Sequence, residues 1–169
     1  DVQDMERLVG EFLAFVRGDV LEEPELVDPV ALTQRAVENA VRSGQAVALG
    51  AISAPPQARL RPQAVMRALD NLISNAVRYG KHAKVSVQAT ATTLSFIVED
   101  DGPGIPENRR DEAMEPFKRL DAARNPNQGG GVGLGLSIAA DIARSHGGAL
   151  RLGDSPAMGG LRAELQLAL

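Results

Sequence analysis

Several residue types that mark common protein classes are absent or rare in this sequence. No cysteine occurs among its 169 residues, which excludes disulfide-held scaffolds, thiolate zinc sites and cysteine nucleophiles. One tyrosine, four phenylalanines and no tryptophan leave few candidates for a platform of stacked aromatic rings. Acidic residues outnumber basic ones by 22 to 18, and the resulting formal charge of −4 argues against a nucleic-acid binder that neutralises phosphates.

Long apolar runs are also missing. No stretch approaches about 18 consecutive apolar residues and no signal peptide opens the chain, so we expect this piece to be soluble. A hydrophobic content of 44 % and a charged content of 24 % are ordinary for a globular protein, and the length suits one domain with a short appendage. Glycine is more distinctive, because seven of the 17 glycines fall within 102–104 and 129–135, where we expect the function to lie.

Residues 1–17 carry a heptad pattern of apolar side chains that predicts a helix. The seam consists of Val2, Met5, Val9, Phe12 and Val16. We expect this seam to pair with a partner helix and the helix to continue upstream in a longer parent, because no N-cap residue precedes the pattern. The alternative is a helix that packs on its own domain. The acidic stretch 19–28, which contains Pro24, is interpreted as a hinge into a new domain.

The rest of the sequence alternates helix and strand signals. We predict helices at 28–42, 62–79 and 133–145, and strands at 46–52, 57–60, 84–89, 94–99, 149–152 and 161–167. Strands concentrated in the second half, with helices between them, favour a two-layer α/β sandwich. The irregular stretch 101–131 is long for a connection within a compact domain, which is typical of a functional loop.

The predicted helix 62–79 has one apolar face and one polar face. The apolar face consists of Val65, Leu69, Leu72, Ile73 and Ala76. Asn71, Asn75 and Arg78 lie together on the opposite side, with Tyr79 at its edge. A neutral side-chain oxygen that faces a phosphate can hold Mg²⁺, which takes few protein ligands. The alternative is an ordinary solvated face.

The predicted strand 94–99 ends in acidic residues and a tight turn. Glu99, Asp100 and Asp101 are followed by Gly102-Pro103-Gly104-Ile105. One carboxylate above a floor of glycines would accept a hydrogen bond from an adenine amino group and repel the carbonyl that guanine has there. The alternative is a turn with solvated acids.

A glycine-rich segment at 129–136 runs directly into the third predicted helix. Free amides at a helix N-terminus bind anions, and glycines let phosphates approach closely. The segment lacks the Lys-Ser/Thr of a Walker A loop and the spacing of a Rossmann fingerprint. Lys118, Arg119 and Arg124 precede it and could reach a triphosphate. The alternatives are a flexible hinge and ordinary surface charges.

Taken together and in order, these segments resemble the catalytic ATP-binding domain of bacterial two-component sensor histidine kinases, members of the Bergerat superfamily. Residues 71–80 (NLISNAVRYG) resemble the N box of that family, 100–105 (DDGPGI) its G1 box, 115–119 (EPFKR) its F box and 131–136 (GVGLGL) its G2 box. The wording of the boxes is most similar to the osmosensor kinase subfamily.

By this resemblance, residues 1–18 are the C-terminal part of the second dimerisation helix, 19–24 a linker and 25–169 the catalytic domain. The implied fold is an α+β two-layer sandwich in which a mixed sheet packs on helices, with an ATP lid at about 106–132.

The resemblance also implies roles for individual residues near the nucleotide. Asn75 would coordinate Mg²⁺, Asn71 and Arg78 would lie beside the phosphates, and Tyr79 would pack near the nucleotide. Asp100 would accept from the adenine amino group, in a pocket shaped by Gly102, Gly104 and Ile105.

In the lid, the implied roles fall on residues of the F and G2 boxes. Phe117 would tether the lid, and Lys118 or Arg119 would approach the γ-phosphate, so that Asn71 and Arg119 are the predicted catalytic residues. The residues implied to anchor the lid and meet the phosphates are Gly131, Gly133, Leu134 and Gly135.

One departure from the family pattern concerns histidine. The family transfers phosphate to a histidine on the first dimerisation helix, whereas this sequence has only His82 and His146, neither in such a context. We expect both to be structural or exposed. The resemblance therefore implies a fragment that binds Mg²⁺-ATP and needs an acceptor domain from the same kinase.

The implied further partner is the receiver domain of a response regulator. The parent would be a homodimer anchored in the bacterial inner membrane, with this domain in the cytoplasm and no nucleic-acid partner. Two alternatives remain at this point: a serine kinase of the anti-sigma type and a degenerate nucleotide sensor without catalysis.

Overall fold

The computed structural model describes residues 2, 3, 5, 6, 9, 10, 22–115 and 135–169. The described residues before position 11 are helical, as the heptad pattern predicts. Val2, Met5 and Val9 of the seam are exposed by half or more of their surface. Phe12 and Val16 lie outside the described residues, so the partner of the seam stays a prediction. No helix within the described ranges is long and apolar enough to cross a membrane.

The described elements follow one another in an order close to the predicted one. They are β1 (Glu25–Val27), α1 (Pro29–Arg42), β2 (Val47–Ser53), β3 (Ala58–Leu60), α2 (Pro62–Tyr79), β4 (Ala83–Ala89), β5 (Thr93–Asp100), a 3-10 turn (Glu107–Arg109), α3 (Arg110–Ala113), α4 (Gly135–Ser145), β6 (Ala149–Asp154) and β7 (Leu161–Ala168). β1, the 3-10 turn and α3 were not predicted.

A five-stranded mixed sheet forms one layer, with the strand order β2-β4-β5-β7-β6. β2 and β4 run parallel, and the other neighbours are antiparallel. β4 and β5 form an antiparallel hairpin. β1 and β3 make a separate antiparallel pair. The expectation of an α+β sandwich with a mixed sheet is confirmed.

The alternation of buried side chains along the strands shows which face of the sheet the helices cover. Phe96 lies opposite Val87 on β4 and Leu165 on β7, and all three belong to the buried core. Because successive side chains point to opposite faces, these residues share the face on which the helices pack. α2 contacts both α1 and α4 on this face. The five apolar residues predicted on α2 are all buried.

The two long N-terminal helices are capped in different ways. The Asp28 carboxylate accepts from the Val30 and Ala31 amides at 2.9 and 3.2 Å and so caps α1. The cap position of α2 is Arg61, whose side chain makes no capping hydrogen bond. The Glu22 carboxylate takes over this function, accepting from the amides of Gln63 and Ala64 at 2.8 and 2.9 Å.

Candidate functional site

The polar residues predicted on α2 lie in the C-terminal half of that helix. Asn71, Asn75, Arg78 and Tyr79 are half-buried. A half-buried position lets an amide oxygen meet a ligand while its neighbours exclude part of the water. The helix thus places two carboxamides one turn apart along one side.

Asp100 ends β5, and the residue is only 3 % exposed. Its Oδ1 accepts from the amides of Gly102 at 2.9 Å and Leu161 at 3.1 Å. Oδ2 takes no hydrogen bond within the described part of the chain, so a ligand can use this oxygen. Burial raises the pKa of Asp100 above its ordinary value and the charge of Asp101 adds to this, whereas the two amide donors act in the opposite direction.

Asp101, the adjacent carboxylate, has a structural task. Its Oδ1 accepts from the amides of Lys81 and His82 at 2.7 and 2.9 Å, and its Oδ2 lies 2.9 Å from Nδ1 of His82. These bonds to His82 and Lys81 hold the pKa of Asp101 well below its usual range. Asp101 therefore joins the segment after α2 to the end of β5.

The glycines of the 100–105 segment lie against the end of α2 and the start of β7. A Cβ on Gly102 would come within 2.7 Å of the Tyr79 carbonyl oxygen and 2.9 Å of the Gly80 nitrogen, so any side chain would push α2 away. Gly104 has a φ of 72°, which L side chains rarely adopt. Ile105 is partly buried against the core.

Gly135 opens α4 beside α2. A Cβ on Gly135 would lie 3.9 Å from Cβ of Asn71 and 4.0 Å from its carbonyl oxygen. The start of α4 is thus adjacent to Asn71 of α2, which is predicted to lie beside the phosphates. The first amides of a helix have no intrahelical partner, and the first turn of α4 carries no acidic residue that would repel an anion.

The remaining predicted site residues lie outside the described residues, and their roles stay predictions. They are Phe117, Lys118, Arg119, Gly131, Gly133 and Leu134. Of the predicted lid, the described part includes Arg110, whose Nε donates to the Ile105 carbonyl oxygen at 3.0 Å and whose Nη2 contacts Asp154 at 3.0 Å.

The two histidines occupy positions that fit a structural or exposed role. Nε2 of His146 accepts from the Arg61 amide at 3.0 Å, and its Nδ1 lies 2.7 Å from the Ile142 carbonyl oxygen, so the ring is neutral with its proton on Nδ1. Burial lowers the pKa of His146, and the charge of Arg61 acts in the same direction. His82 is exposed beside Asp101.

Sequence reasoning missed the turn that precedes β7. Leu161 donates to Asp100, Gly160 lies against the same residue, and Ser155 donates to the Glu99 carboxylate at 2.7 Å. The available signal was the pair Gly159-Gly160 between two predicted strands. That pair lies about 60 residues after Asp100, so spacing along the chain gave no reason to connect them.

With this geometry in place, comparison with known proteins gives a clear result. The family described as "Histidine kinase-, DNA gyrase B-, and HSP90-like ATPase" matches residues 61–169. The chain belongs to this family. The matched range contains Asn71, Asn75, Asp100, Gly135 and the turn before β7.

Curated relatives are sensor kinases that are longer than this chain. The chain is 36 % identical over 168 residues to sensor histidine kinase GtrS of Pseudomonas aeruginosa, covering 99 % of this chain and 34 % of that protein. It is 35 % identical over 170 residues to sensor protein RstB of Escherichia coli, covering 96 % and 38 %. The chain thus spans little more than a third of the length of these relatives. The resemblance to sensor histidine kinases is confirmed.

Solved structures agree on the fold. The ATP binding domain of PrrB from Mycobacterium tuberculosis matches with a TM-score of 0.68 and 27 % identity, over 87 % of this chain and 98 % of that one. The histidine kinase domain of the E. coli osmosensor EnvZ matches with a TM-score of 0.65 and 33 % identity, over 88 % and 91 %. An osmosensor is therefore among the similar structures.

Proposed function

We propose that this chain binds Mg²⁺-ATP and donates the γ-phosphoryl group to a histidine on the dimerisation domain of the same kinase. The phosphoryl group would then pass to an aspartate of a response regulator. The arrangement around Asp100 carries the proposal: a buried carboxylate with one oxygen held by two amides, at the end of the strand beside α2. Family membership and the sensor kinase relatives support the same activity. They favour it over the anti-sigma-type serine kinase and over the non-catalytic sensor.

The residues on α2 fit the chemistry of a magnesium nucleotide. Mg²⁺ binds through one or two protein oxygens plus phosphate oxygens and water. The half-buried amide of Asn75 offers one such oxygen, and Asn71 lies one turn earlier beside the start of α4. Bound Mg²⁺ would neutralise charge on the phosphates. We assign Asn75 to the metal, and Asn71, Arg78 and the Gly135 amide to the phosphate side.

Phosphoryl transfer depends mainly on positioning and charge neutralisation, so the protein needs few reacting groups. An asparagine at position 71 cannot act as a general base towards water, because a carboxamide does not take up a proton near neutral pH. We therefore expect slow hydrolysis by the chain alone. The nucleophile would be an imidazole from another domain, since both ring nitrogens of His146 are engaged within the fold.

The wider assembly is proposed on the same basis. Residues 1–18 would end the second dimerisation helix of a homodimeric parent, with 19–24 as the linker. The parent would be anchored in the bacterial inner membrane with this domain in the cytoplasm. In the lid, Phe117 would act as the tether and Lys118 or Arg119 would approach the γ-phosphate. Gly131, Gly133 and Leu134 would meet the phosphates together with Gly135.

Transfer to a supplied acceptor tests the proposal. The chain is mixed with Mg²⁺, γ-labelled ATP and the dimerisation domain of its parent, and acid-labile label on the acceptor is followed. We expect transfer to the wild-type acceptor and none when the acceptor histidine is replaced by alanine. Asn75→Ala should reduce transfer at least about tenfold, since it removes a metal ligand.

Gln63→Ala is the matched control, because Gln63 is an exposed residue at the opposite end of α2. It should leave the transfer rate unchanged. Label that appears on serine instead of histidine would indicate the anti-sigma type of kinase. ATP binding without transfer to any acceptor would indicate a non-catalytic sensor.

A further inference from the structure

The turn at 155–160 is tied to the end of β5 at two adjacent residues. The Ser155 hydroxyl donates to Oε2 of Glu99 at 2.7 Å, and the Leu161 amide donates to Oδ1 of Asp100 at 3.1 Å. Ser155, Glu99 and Asp100 are at most 9 % exposed. A buried hydroxyl on a buried carboxylate has little competition from water, so these bonds fix the turn relative to the strand.

The turn is also closed on itself. The Ser155 amide donates to the Gly160 carbonyl oxygen and the Gly159 amide to the Ser155 carbonyl oxygen, both at 2.8 Å. The Ser155 hydroxyl accepts from the Met158 amide at 3.0 Å. Ser155 therefore connects the interior of the turn with Glu99, and Gly160 is held in one place above Asp100.

Gly160 touches Asp100 so closely that no side chain fits there. A Cβ at this position would lie 2.3 Å from Oδ1 of Asp100, 2.4 Å from the Asp100 carbonyl oxygen and 2.6 Å from the Gly102 nitrogen. Two of these three atoms belong to the backbone and cannot rotate away. A side chain at position 160 would therefore displace Asp100 or break its bonds to Gly102 and Leu161.

We propose that Gly160 and Ser155 are positioning residues for adenine recognition. The turn holds Oδ1 of Asp100 against the Gly102 and Leu161 amides and so presents Oδ2 to the N6 amino group of the nucleotide. This inference rests on the proposed ATP-binding function. It assigns a role to a segment outside the four boxes. It also predicts that this segment affects the choice of base more than the binding of the phosphates.

Two nucleotides that differ only at N6 test the inference. ATP is compared with purine riboside triphosphate, which has hydrogen in place of the amino group, by titration of the full chain with Mg²⁺ present. Wild type should prefer ATP roughly tenfold or more, since a hydrogen bond to a carboxylate is lost with the analogue. Gly160→Ala should bind the two nucleotides within about threefold of each other.

Gly153→Ala is the matched control. A Cβ on Gly153 of β6 meets nothing within 4 Å, so this variant should keep the wild-type preference. A thermal melt checks that each variant folds. If Gly160→Ala does not fold, Ser155→Ala decides, because it removes only the hydroxyl that joins the turn to Glu99; we expect its preference for ATP to fall at least about threefold.

The outcomes separate the inference from the proposed function. A wild-type chain that binds neither nucleotide would overturn both. A wild-type chain that binds the two nucleotides equally well would overturn the inference and leave ATP binding in place. A wild-type preference that persists in folded Gly160→Ala would overturn the positioning role alone, and so would equal weakening of both nucleotides in that variant. If Gly160→Ala is unfolded, an unchanged preference in Ser155→Ala would also overturn it.

Discussion

At the residue scale, two neighbouring carboxylates illustrate how local partners decide a role. Asp100 is buried and its pKa is raised, mainly by desolvation, whereas Asp101 has three donors and its pKa is lowered. The amino-acid pattern predicted that one carboxylate of this cluster faces a pocket, and the family resemblance selected Asp100. The pattern could not assign Asp101, because its partners Lys81 and His82 lie between α2 and β4, before the hairpin that Asp101 follows.

His146 offers a pH-dependent test of the fold. Its neutral ring accepts from the Arg61 amide at the start of α2, with the Arg61 and Glu22 charges nearby. Its pKa is lowered in the folded protein, so the unfolded chain takes up the proton first as the pH falls. The contribution of the neutral His146 ring to the stability of the fold is therefore complete above about pH 6.5. It is lost as the pH falls from there towards the lowered pKa.

We expect His146→Ala to lower the free energy of unfolding by about 1–3 kcal/mol at pH 7.5, since it leaves the Arg61 amide without its acceptor. The difference from wild type should shrink between pH 6.5 and pH 5. Urea unfolding at several pH values measures it, with Gln63→Ala, an exposed residue without a titratable group, as the control. A difference that stays constant over this range would contradict the assigned ring state.

At the element scale, α2 depends on a cap that comes from far away in the sequence. The Glu22 carboxylate accepts from the first amides of α2. Nε of Arg61 in turn donates to the Glu22 carbonyl oxygen at 3.0 Å. Arg61 also donates to the Ser145 carbonyl oxygen at the end of α4. One side-chain cluster thus joins the segment before β1 to both helices that border the candidate site.

Removing this cap should have a measurable cost. We expect Glu22→Ala to lower the free energy of unfolding by about 0.5–2 kcal/mol, the usual range for a lost N-cap. Glu23→Ala is the matched control, because Glu23 is an exposed neighbour of the same charge. Equal stabilities of the two variants in thermal or urea unfolding would show that Glu22 does not cap α2.

Local signals predicted most elements, and the missed ones depend on distant contacts. Asp28 and Pro29 stand at the start of α1, and the five apolar residues predicted on α2 are all buried. β1 is three residues long and exists through its pairing with β3, which no local pattern reveals. The turn at 155–160 was not predicted either, because the residues that it contacts, Glu99 and Asp100, lie far earlier in the chain.

At the scale of the whole molecule, the candidate site forms where four elements end or begin. The end of α2, the end of β5, the start of β7 and the start of α4 meet there, as the contacts of Gly102, Gly135 and Gly160 record. The sheet order makes this possible, because β5 lies between β4 and β7 and α2 packs across the sheet next to α4. Family membership implies this layout, whereas the amino-acid composition alone does not.

Calorimetric titration of the chain with ATP is the most direct test of the central claim. We predict binding that Mg²⁺ strengthens and that GTP does not reproduce. Asp100→Asn should weaken it roughly tenfold or more, because its Oδ1 can keep the two internal bonds while its amide nitrogen cannot accept from adenine. Glu38→Gln, the same chemical change at an exposed site on α1, should bind like wild type. Equal affinities of Asp100→Asn and wild type, or of ATP and GTP, would contradict the account.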